Sequence, residues 1–272
     1  MRVYNIPTWT FFLLIVGGFV LFGVVGLYIA LAAIPRITGD GQRPEWATAG
    51  DFLAAASMLY GLIAALISVA VWQTFNEVES RVSQEAASLG ALYRMASHLP
   101  EPTRDALTAS IKARTRFIMT TEWEEQRHGV PVGLASSLDK VDNEIYEFKP
   151  ADSRESNLQA AMEAESVTMY SLARQRRHDA HAGVSPALYT VIFVGALITI
   201  VLTWLLPEGR FRPHGLMTAA AAAMIGMVVF TIVVLDHPFR GGVSISSHPF
   251  EDVYDNLMGG TPREMGGHPG GH

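Results

Sequence analysis

Long uninterrupted runs of apolar residues dominate the hydrophobic pattern of this chain. Four of these runs contain no charged residue and reach the roughly 20 residues that a helix needs to cross a bilayer. Lipid offers no hydrogen-bond partners to the backbone, and the runs lack the two-residue alternation of barrel strands, so helices are favoured. We therefore predict transmembrane helices at residues 9–35, 51–74, 185–206 and 216–236. A signal peptide at the first run is the weaker alternative, because that run is much longer than a signal core of about 7–15 residues.

Between the second and third runs, the pattern changes to the spacing of a helix with one apolar face. Val78, Val82 and Leu89 recur at three- to four-residue intervals, and neither Pro nor Gly occurs between Gly61 and Gly90. The second span is therefore predicted to continue as one helix to residue 99, where Pro100 follows. Further helices are predicted at residues 103–127, 134–148 and 153–182.

These elements define an all-α integral membrane protein with a helical domain inserted between the second and third spans. The segments outside the spans are a short N-terminus, two loops, the insert and a C-terminal tail, at residues 1–8, 36–50, 207–215, 75–184 and 237–272. From about residue 259 the tail is rich in Gly, Pro and His, a composition that predicts disorder.

The distribution of arginines predicts the orientation in the membrane. Near the span ends, the side that bears the insert carries Arg2, Arg81, Arg94, Arg174, Arg176, Arg177 and Arg240, and the side of the two loops carries Arg36, Arg43, Arg210 and Arg212. Because cytoplasmic segments carry the excess of basic residues, we expect both termini and the insert to be cytoplasmic, in a bacterial inner membrane.

Composition excludes several kinds of chemistry. The chain has no cysteine, so it has no disulfide, thiolate nucleophile or cysteine metal site. A net charge of −6 argues against a general nucleic-acid partner. No catalytic or nucleotide-binding motif occurs, so neither an enzyme nor a cofactor is predicted, and a membrane enzyme ranks as a distant third hypothesis.

Small and hydroxylated residues follow one face of the second span. Their spacing makes them candidates for the lining of a pore formed by several copies, together with Gln73 at the end of the span; the stripe consists of Ser57, Tyr60, Ala64, Ser68 and Val71. Small residues on one face also suit close helix packing in lipid, and this alternative stays open.

Polar residues near the ends of the spans are further candidates. Asn76, Glu77, Glu79 and Glu85 follow the second span and are expected at a cytoplasmic mouth, where carboxylates of a symmetric oligomer would concentrate cations. Arg174, Arg176 and Arg177 precede the third span and are expected to meet anionic lipid headgroups. The tail histidines are too loosely spaced to predict a metal site; they are His237, His248, His268 and His272.

Several stretches resemble the bacterial bestrophin-like domain family, whose members have four spans. The resemblance covers about residues 51–250, and its specific parts are Glu85-Ala86, Glu122-Trp123 and residues 236–241 (Asp-His-Pro-Phe-Arg-Gly). The basic cluster at residues 174–177 fits the segment that the family has before its third span.

The family name implies kinship with bestrophins, which are oligomeric ligand-gated anion channels with a pore around the second span. No acidic cluster in the tail aligns with the calcium clasp of bestrophins, so calcium gating and ion selectivity are not transferred to this chain. The resemblance implies a homo-oligomer, with five subunits suggested by the kinship alone.

Two hypotheses of different classes follow. The first is an oligomeric ion channel with the second span and its extension around the axis. The second is a non-conducting scaffold or accessory subunit that binds partner proteins through the cytoplasmic helices, which the absence of charged residues from the spans favours.

Overall fold

Most of the described part of the chain is helical. The structure is a computed structural model, and it describes residues 7–37, 49–128, 136–180, 183–206 and 211–259. In chain order, the helices are α1 (Thr8–Ile37), α2 (Ala49–Ala96), α3 (Thr103–Phe117), a π-helical turn (Ile118–Glu122), α4 (Trp123–His128), α5 (Ser136–Glu147), α6 (Ser153–Asp179), α7 (Pro186–Trp204), α8 (Phe211–Leu235) and α9 (His248–Asn256).

The prediction of four long apolar helices in an all-α chain is confirmed. Helices α1, α2, α7 and α8 are each long and apolar enough to cross a membrane. Within the described ranges, no residue belongs to a β-strand. The cytoplasmic side of the insert and the orientation of the termini stay predictions.

The described residues divide into two compact units. We call residues 7–75 and 183–244 the membrane bundle, and residues 76–180 and 245–259 the insert unit. The division falls inside α2, which is a single helix of 48 residues.

Glycines let the helices of the membrane bundle approach one another closely. A Cβ added at Gly226 of α8 would lie 3.0 Å from the Cα of Val16, and one added at Gly26 of α1 would lie 2.1 Å from the indole of Trp204. The Trp204 indole N–H donates to the Gly23 carbonyl at 3.0 Å. Close packing of this kind stabilises helices in lipid, where apolar burial gives little driving force.

The insert unit has a conventional apolar core. Val82 and Leu89 of α2, Ile111 of α3, Ile145 of α5 and Met169 of α6 are all buried there. Such burial is the main driving force for folding in water. The unit is therefore built like a soluble helical domain.

Two features of the insert unit differ from the sequence analysis. The helix predicted at residues 103–127 contains the π-helical turn Ile118–Glu122, which inserts extra backbone into the run. A helix also forms in the segment assigned to the C-terminal tail: α9 belongs to the insert unit and buries Phe250 completely. The predicted disorder beyond residue 259 lies outside the described residues.

Candidate functional site

The inner face of α2 packs against other helices of the same membrane bundle. A Cβ added at Gly195 of α7 would lie 2.6 Å from the ring of Tyr60, so this ring lies directly on the α7 backbone. Further along the helix, Ile67 and Val71 join the bundle core together with Ile192 of α7. This face of α2 is therefore the face that packs within the bundle.

Most of the predicted pore stripe lies on this inner face. Ala64 and Val71 are only 3% and 5% exposed, so neither can line a pore between subunits, and their assignment as pore-lining residues was wrong. Ser57, Tyr60 and Ser68 are half-buried, and the Ser68 hydroxyl donates to the Ala64 carbonyl at 2.7 Å. These positions are compatible with the alternative interpretation, in which the stripe serves close helix packing.

The opposite face of α2 is apolar and exposed. Leu62, Leu66 and Val69 are 59%, 63% and 50% exposed, and Gln73 continues the same line one turn later. Their i, i+4, i+7, i+11 spacing places all four on one side of the helix. We call these residues the outer α2 face. Sequence analysis missed the three apolar members because an apolar residue in a span gives no signal of which side it faces.

The predicted mouth residues have different surroundings within the insert unit. Glu77 is exposed and forms an i, i+4 ion pair with Arg81 at 3.3 Å; Arg81 also binds Asp179 of α6 at 2.7 Å. Glu79 is exposed and Asn76 is half-buried. Arg81 offsets the negative charge of Glu77, so the charge of Glu79 is the less neutralised of the two.

Glu85 lies inside the insert unit, in a network of buried charges. Its carboxylate accepts from Arg176 Nε at 2.6 Å and from Arg176 Nη2 at 3.1 Å. The same Nη2 donates to Glu122 at 2.7 Å, and Glu122 is also paired with Arg114. All four side chains are at most 1% exposed. Glu85 is therefore a structural ion-pair partner, and its burial contradicts the prediction that it lies at a cytoplasmic mouth.

The π-helical turn places Glu122 in this network. In a regular α-helix, eight residues rotate about 80° past two full turns, so Arg114 and Glu122 would diverge in direction. The wider π turn takes up more residues per turn and brings the two side chains onto one side. Arg114 Nη2 donates to Glu122 at 3.2 Å as a result. Burial alone would raise the pKa of Glu122, but Arg114 and Arg176 lower it below the ordinary value.

Two aromatic rings lie close to the Arg176 guanidinium on one side. Its Cζ lies 5.6 Å from the centre of the Trp123 ring and 5.9 Å from that of Phe250, and the two ring centres are 5.8 Å apart. Phe250 comes from α9, whose Val253 also lies against Gly90 of α2. The C-terminal helix is thus a part of the core of the insert unit.

The predicted lipid-binding arginines divide into two groups. Arg176 is fully buried and its guanidinium binds Glu85 and Glu122, so it cannot reach a lipid headgroup, and this prediction was wrong. Arg174 is exposed and Arg177 is half-buried. Consecutive helix positions point in different directions, and only one member of the cluster faces the core.

In the membrane bundle, Asp236 joins the end of α8 to the start of α7. Its carboxylate accepts from the Tyr189 hydroxyl at 2.7 Å and from the backbone N–H of Val184. His237 Nδ1 lies 3.4 Å from the same carboxylate. Burial lowers the pKa of His237, Asp236 opposes this effect, and Arg240 lowers the pKa further.

In the part of the chain that the structure describes, no three His, Asp or Glu side chains are grouped so that they could hold a metal ion. His237 contacts Asp236, and His248 contacts Asp252 on α9 at 3.0 Å. The remaining tail histidines, His268 and His272, lie outside the described residues.

Comparisons with known proteins agree with the helical fold. A bacterial bestrophin homolog from Klebsiella pneumoniae, solved as the crystal structure of a point mutant, is similar in fold with a TM-score of 0.69 and 12% sequence identity. The similarity covers 89% of this chain and 99% of that chain. Among curated proteins, none matches the sequence. The family profile of the Bestrophin-like domain matches residues 17–250, which span both units, and this chain belongs to that family.

Proposed function

We propose that this chain is the subunit of a homo-oligomeric ion channel, and that the outer α2 face lines its axis. The observation that carries the proposal is the position of that face: it is exposed on a helix whose opposite side is packed within its own subunit. Membership of the bestrophin-like family supports a channel. A pentamer in a bacterial inner membrane is part of the proposal, on the basis of family kinship.

The side chains of the outer α2 face suggest how the pore would close. Leu62, Leu66 and Val69 cover about 10 Å of the axis at 1.5 Å per residue. Rings of apolar side chains over this length form a constriction that gates by losing its water. Gln73 follows one turn later and would offer amide donors and acceptors to an ion that leaves the constriction.

The charged residues indicate which end of the pore faces the cytoplasm. We place the insert unit and both termini in the cytoplasm, as the arginine distribution predicts. Glu79 would then contribute the exposed carboxylate ring, since Glu77 is paired with Arg81. Arg174 and Arg177 remain the members of the basic cluster that would contact anionic headgroups, at roughly 1 kcal/mol each.

The constriction is tested by making it polar. In proteoliposomes, Leu66→Ser should raise the ion flux about tenfold, because a hydroxyl lets water enter an apolar constriction. The control is Leu14→Ser on α1, which is 60% exposed and lies on a different helix of the bundle. This variant should leave the flux unchanged.

Two outcomes would contradict the proposal. Equal effects of Leu66→Ser and Leu14→Ser on the ion flux would contradict the proposal that α2 lines the axis. An absence of flux from wild-type protein and from Leu66→Ser, under any voltage or ionic condition, would favour the non-conducting scaffold or accessory subunit. The lack of charged residues along the spans is the observation that keeps this second function under consideration.

The orientation has a direct test, because the chain contains no cysteine. Single cysteines at Lys140 of α5 and Arg212 at the start of α8 would lie on opposite sides of the membrane. In intact cells, a membrane-impermeant thiol reagent should label Arg212→Cys and leave Lys140→Cys unlabelled. The reverse pattern would place the insert unit outside the cytoplasm.

A further inference from the structure

An apolar groove runs along the exposed side of α1 in the membrane bundle. It has a volume of about 550 Å³ and is lined by eight residues, all of them apolar. Gly18 lies at one end and Ile29 near the other, with Leu21, Phe22 and Val25 between them. Because Gly18 has no neighbouring atoms within 4 Å of a Cβ position, the groove is open at that residue.

One wall of the groove is the indole of Trp204, the last residue of α7. Its N–H donates to the Gly23 carbonyl at 3.0 Å, its ring lies on Gly26, and its ring centre is 5.4 Å from that of Phe22. The indole is therefore held in place, and its polar atom is already used. A ligand of this groove meets a rigid apolar surface without a hydrogen-bond donor.

The dimensions of the groove match one lipid tail. From Gly18 to Ala30, α1 rises about 18 Å at 1.5 Å per residue. Half of a hydrocarbon core of about 30 Å is about 15 Å, which is the depth that one acyl chain occupies. A chain that enters at the Ala30 end would reach Gly18 near the middle of the bilayer.

An arginine lies at the same end of the membrane bundle as the Ala30 end of the groove. The ring of Phe211, at the start of α8, is 6.1 Å from that of Tyr28, which neighbours Ile29 on α1. Arg212 follows Phe211 and is exposed. An arginine at this position is able to bind a phosphate with two hydrogen bonds.

From these observations we propose that the groove holds the acyl chain of one phospholipid, with the phosphate at Arg212. The site belongs to the membrane bundle alone, so it does not depend on the channel function. It would be a retained lipid position, distinct from the fluid lipid around the bundle, because the Trp204 wall is fixed by its contacts with α1.

Native mass spectrometry of the full chain in detergent tests the proposal, with phosphatidylglycerol and phosphatidylcholine of equal chain length added in equal amounts. Wild-type protein should retain one phospholipid per subunit. Gly18→Leu fills the groove and should lower the bound lipid about tenfold. This is the factor expected when roughly two methylenes of the acyl chain are no longer buried. Gly17→Leu is the matched control: it is adjacent, equally open and outside the groove, and it should retain the lipid.

The headgroup contact has its own measurement. Arg212→Gln should lower the retention of phosphatidylglycerol about fivefold, as expected for the loss of one basic residue at the surface. Equal lipid retention by Gly17→Leu and Gly18→Leu would overturn the groove as a binding site. A change of oligomer mass in Gly18→Leu, without loss of lipid, would also overturn it and would indicate that a second copy covers the groove.

Discussion

The two units bury polar groups in different ways. In the membrane bundle, His214 is fully buried and its Nε2–H donates to the Thr203 carbonyl at 2.7 Å, and Thr199 donates to the Gly195 carbonyl. Both groups donate to backbone carbonyls of α7. In the insert unit, four charged side chains meet in the interior, and Arg176 alone binds two carboxylates.

The difference teaches how each environment constrains the sequence. In the bilayer, helices associate through close packing and hydrogen bonds, so glycines and backbone carbonyls hold the membrane bundle together. In water, an apolar core supplies the driving force, and the insert unit can contain a buried charge network provided that every charge has a partner. Substitutions that leave one group without its partner should therefore damage the insert unit most.

The largest effect is expected from Arg176→Leu. This change leaves Glu85 unpaired in the core and removes one partner of Glu122. Breaking a buried ion pair in this way costs about 3–5 kcal/mol. Urea unfolding of the full chain in micelles, with hydrogen–deuterium exchange of α6 peptides, should show the insert unit destabilised while the α7 and α8 peptides keep their protection.

Two matched variants sharpen this result. Arg81→Leu breaks an ion pair of the same unit whose arginine is partly exposed, and it should cost no more than about 1 kcal/mol. The double change Glu85→Leu with Arg176→Leu removes both buried charges of one pair and should recover a large part of the loss. Equal costs for Arg176→Leu and Arg81→Leu would contradict the role of the network.

Acid should weaken the same network. The pKa of Glu122 is lowered in the folded state, because Arg114 and Arg176 outweigh the opposing effect of burial. Its stabilisation is therefore complete above the ordinary pKa of 4.5 and is lost as the pH falls through the lowered value. Unfolding of wild-type protein and Glu122→Gln should be compared from pH 6 to pH 3. The difference between them should shrink toward acid, and a constant difference would count against the assignment.

Glycine substitutions test the packing of the membrane bundle. Gly26→Ala places a methyl group against the fixed indole of Trp204 and should cost about 1–3 kcal/mol, as overpacking does. Gly17→Ala meets no atom within 4 Å and should be neutral or stabilising by up to about 1 kcal/mol. Thermal unfolding in micelles, followed by tryptophan emission, compares the two. Similar midpoints for both variants would show that Gly26 is not a close-packing position.

The four spans could be predicted because a run of apolar residues is a local signal that the bilayer imposes on each helix separately. The direction that each span faces is not local. Leu66 and Ile67 are equally apolar, yet Leu66 is exposed and Ile67 is packed against α7. Hydroxyl groups in the second span suggested a water-filled path, but the Ser68 hydroxyl binds the backbone one turn away.

The charge network left a trace in the sequence that helical spacing alone could have revealed. Glu85 stands between Val82 and Leu89, three residues after the first and four before the second, so it occupies a position of the apolar stripe. A charge at such a position predicts a buried partner. The identity of the partner was not predictable, because Arg176 is 91 residues away and the π turn that brings Glu122 to it has no simple sequence signature.

The smallest effects are expected from changes at two helix caps, one in each unit. Asp152 accepts from the N–H of Glu155 at 2.7 Å, and the Glu155 carboxylate accepts from the N–H of Ala151, so the first turn of α6 is tied at two points. Ser185 accepts from the N–H of Leu188 at 3.4 Å, and Pro186 already fixes the first turn of α7. We expect Asp152→Ala to cost about 1 kcal/mol and Ser185→Ala about 0.5 kcal/mol or less. Hydrogen–deuterium exchange at the first turns of α6 and α7 measures both, and a larger loss of protection for Ser185→Ala would mean that the bundle depends on capping more than the insert unit does.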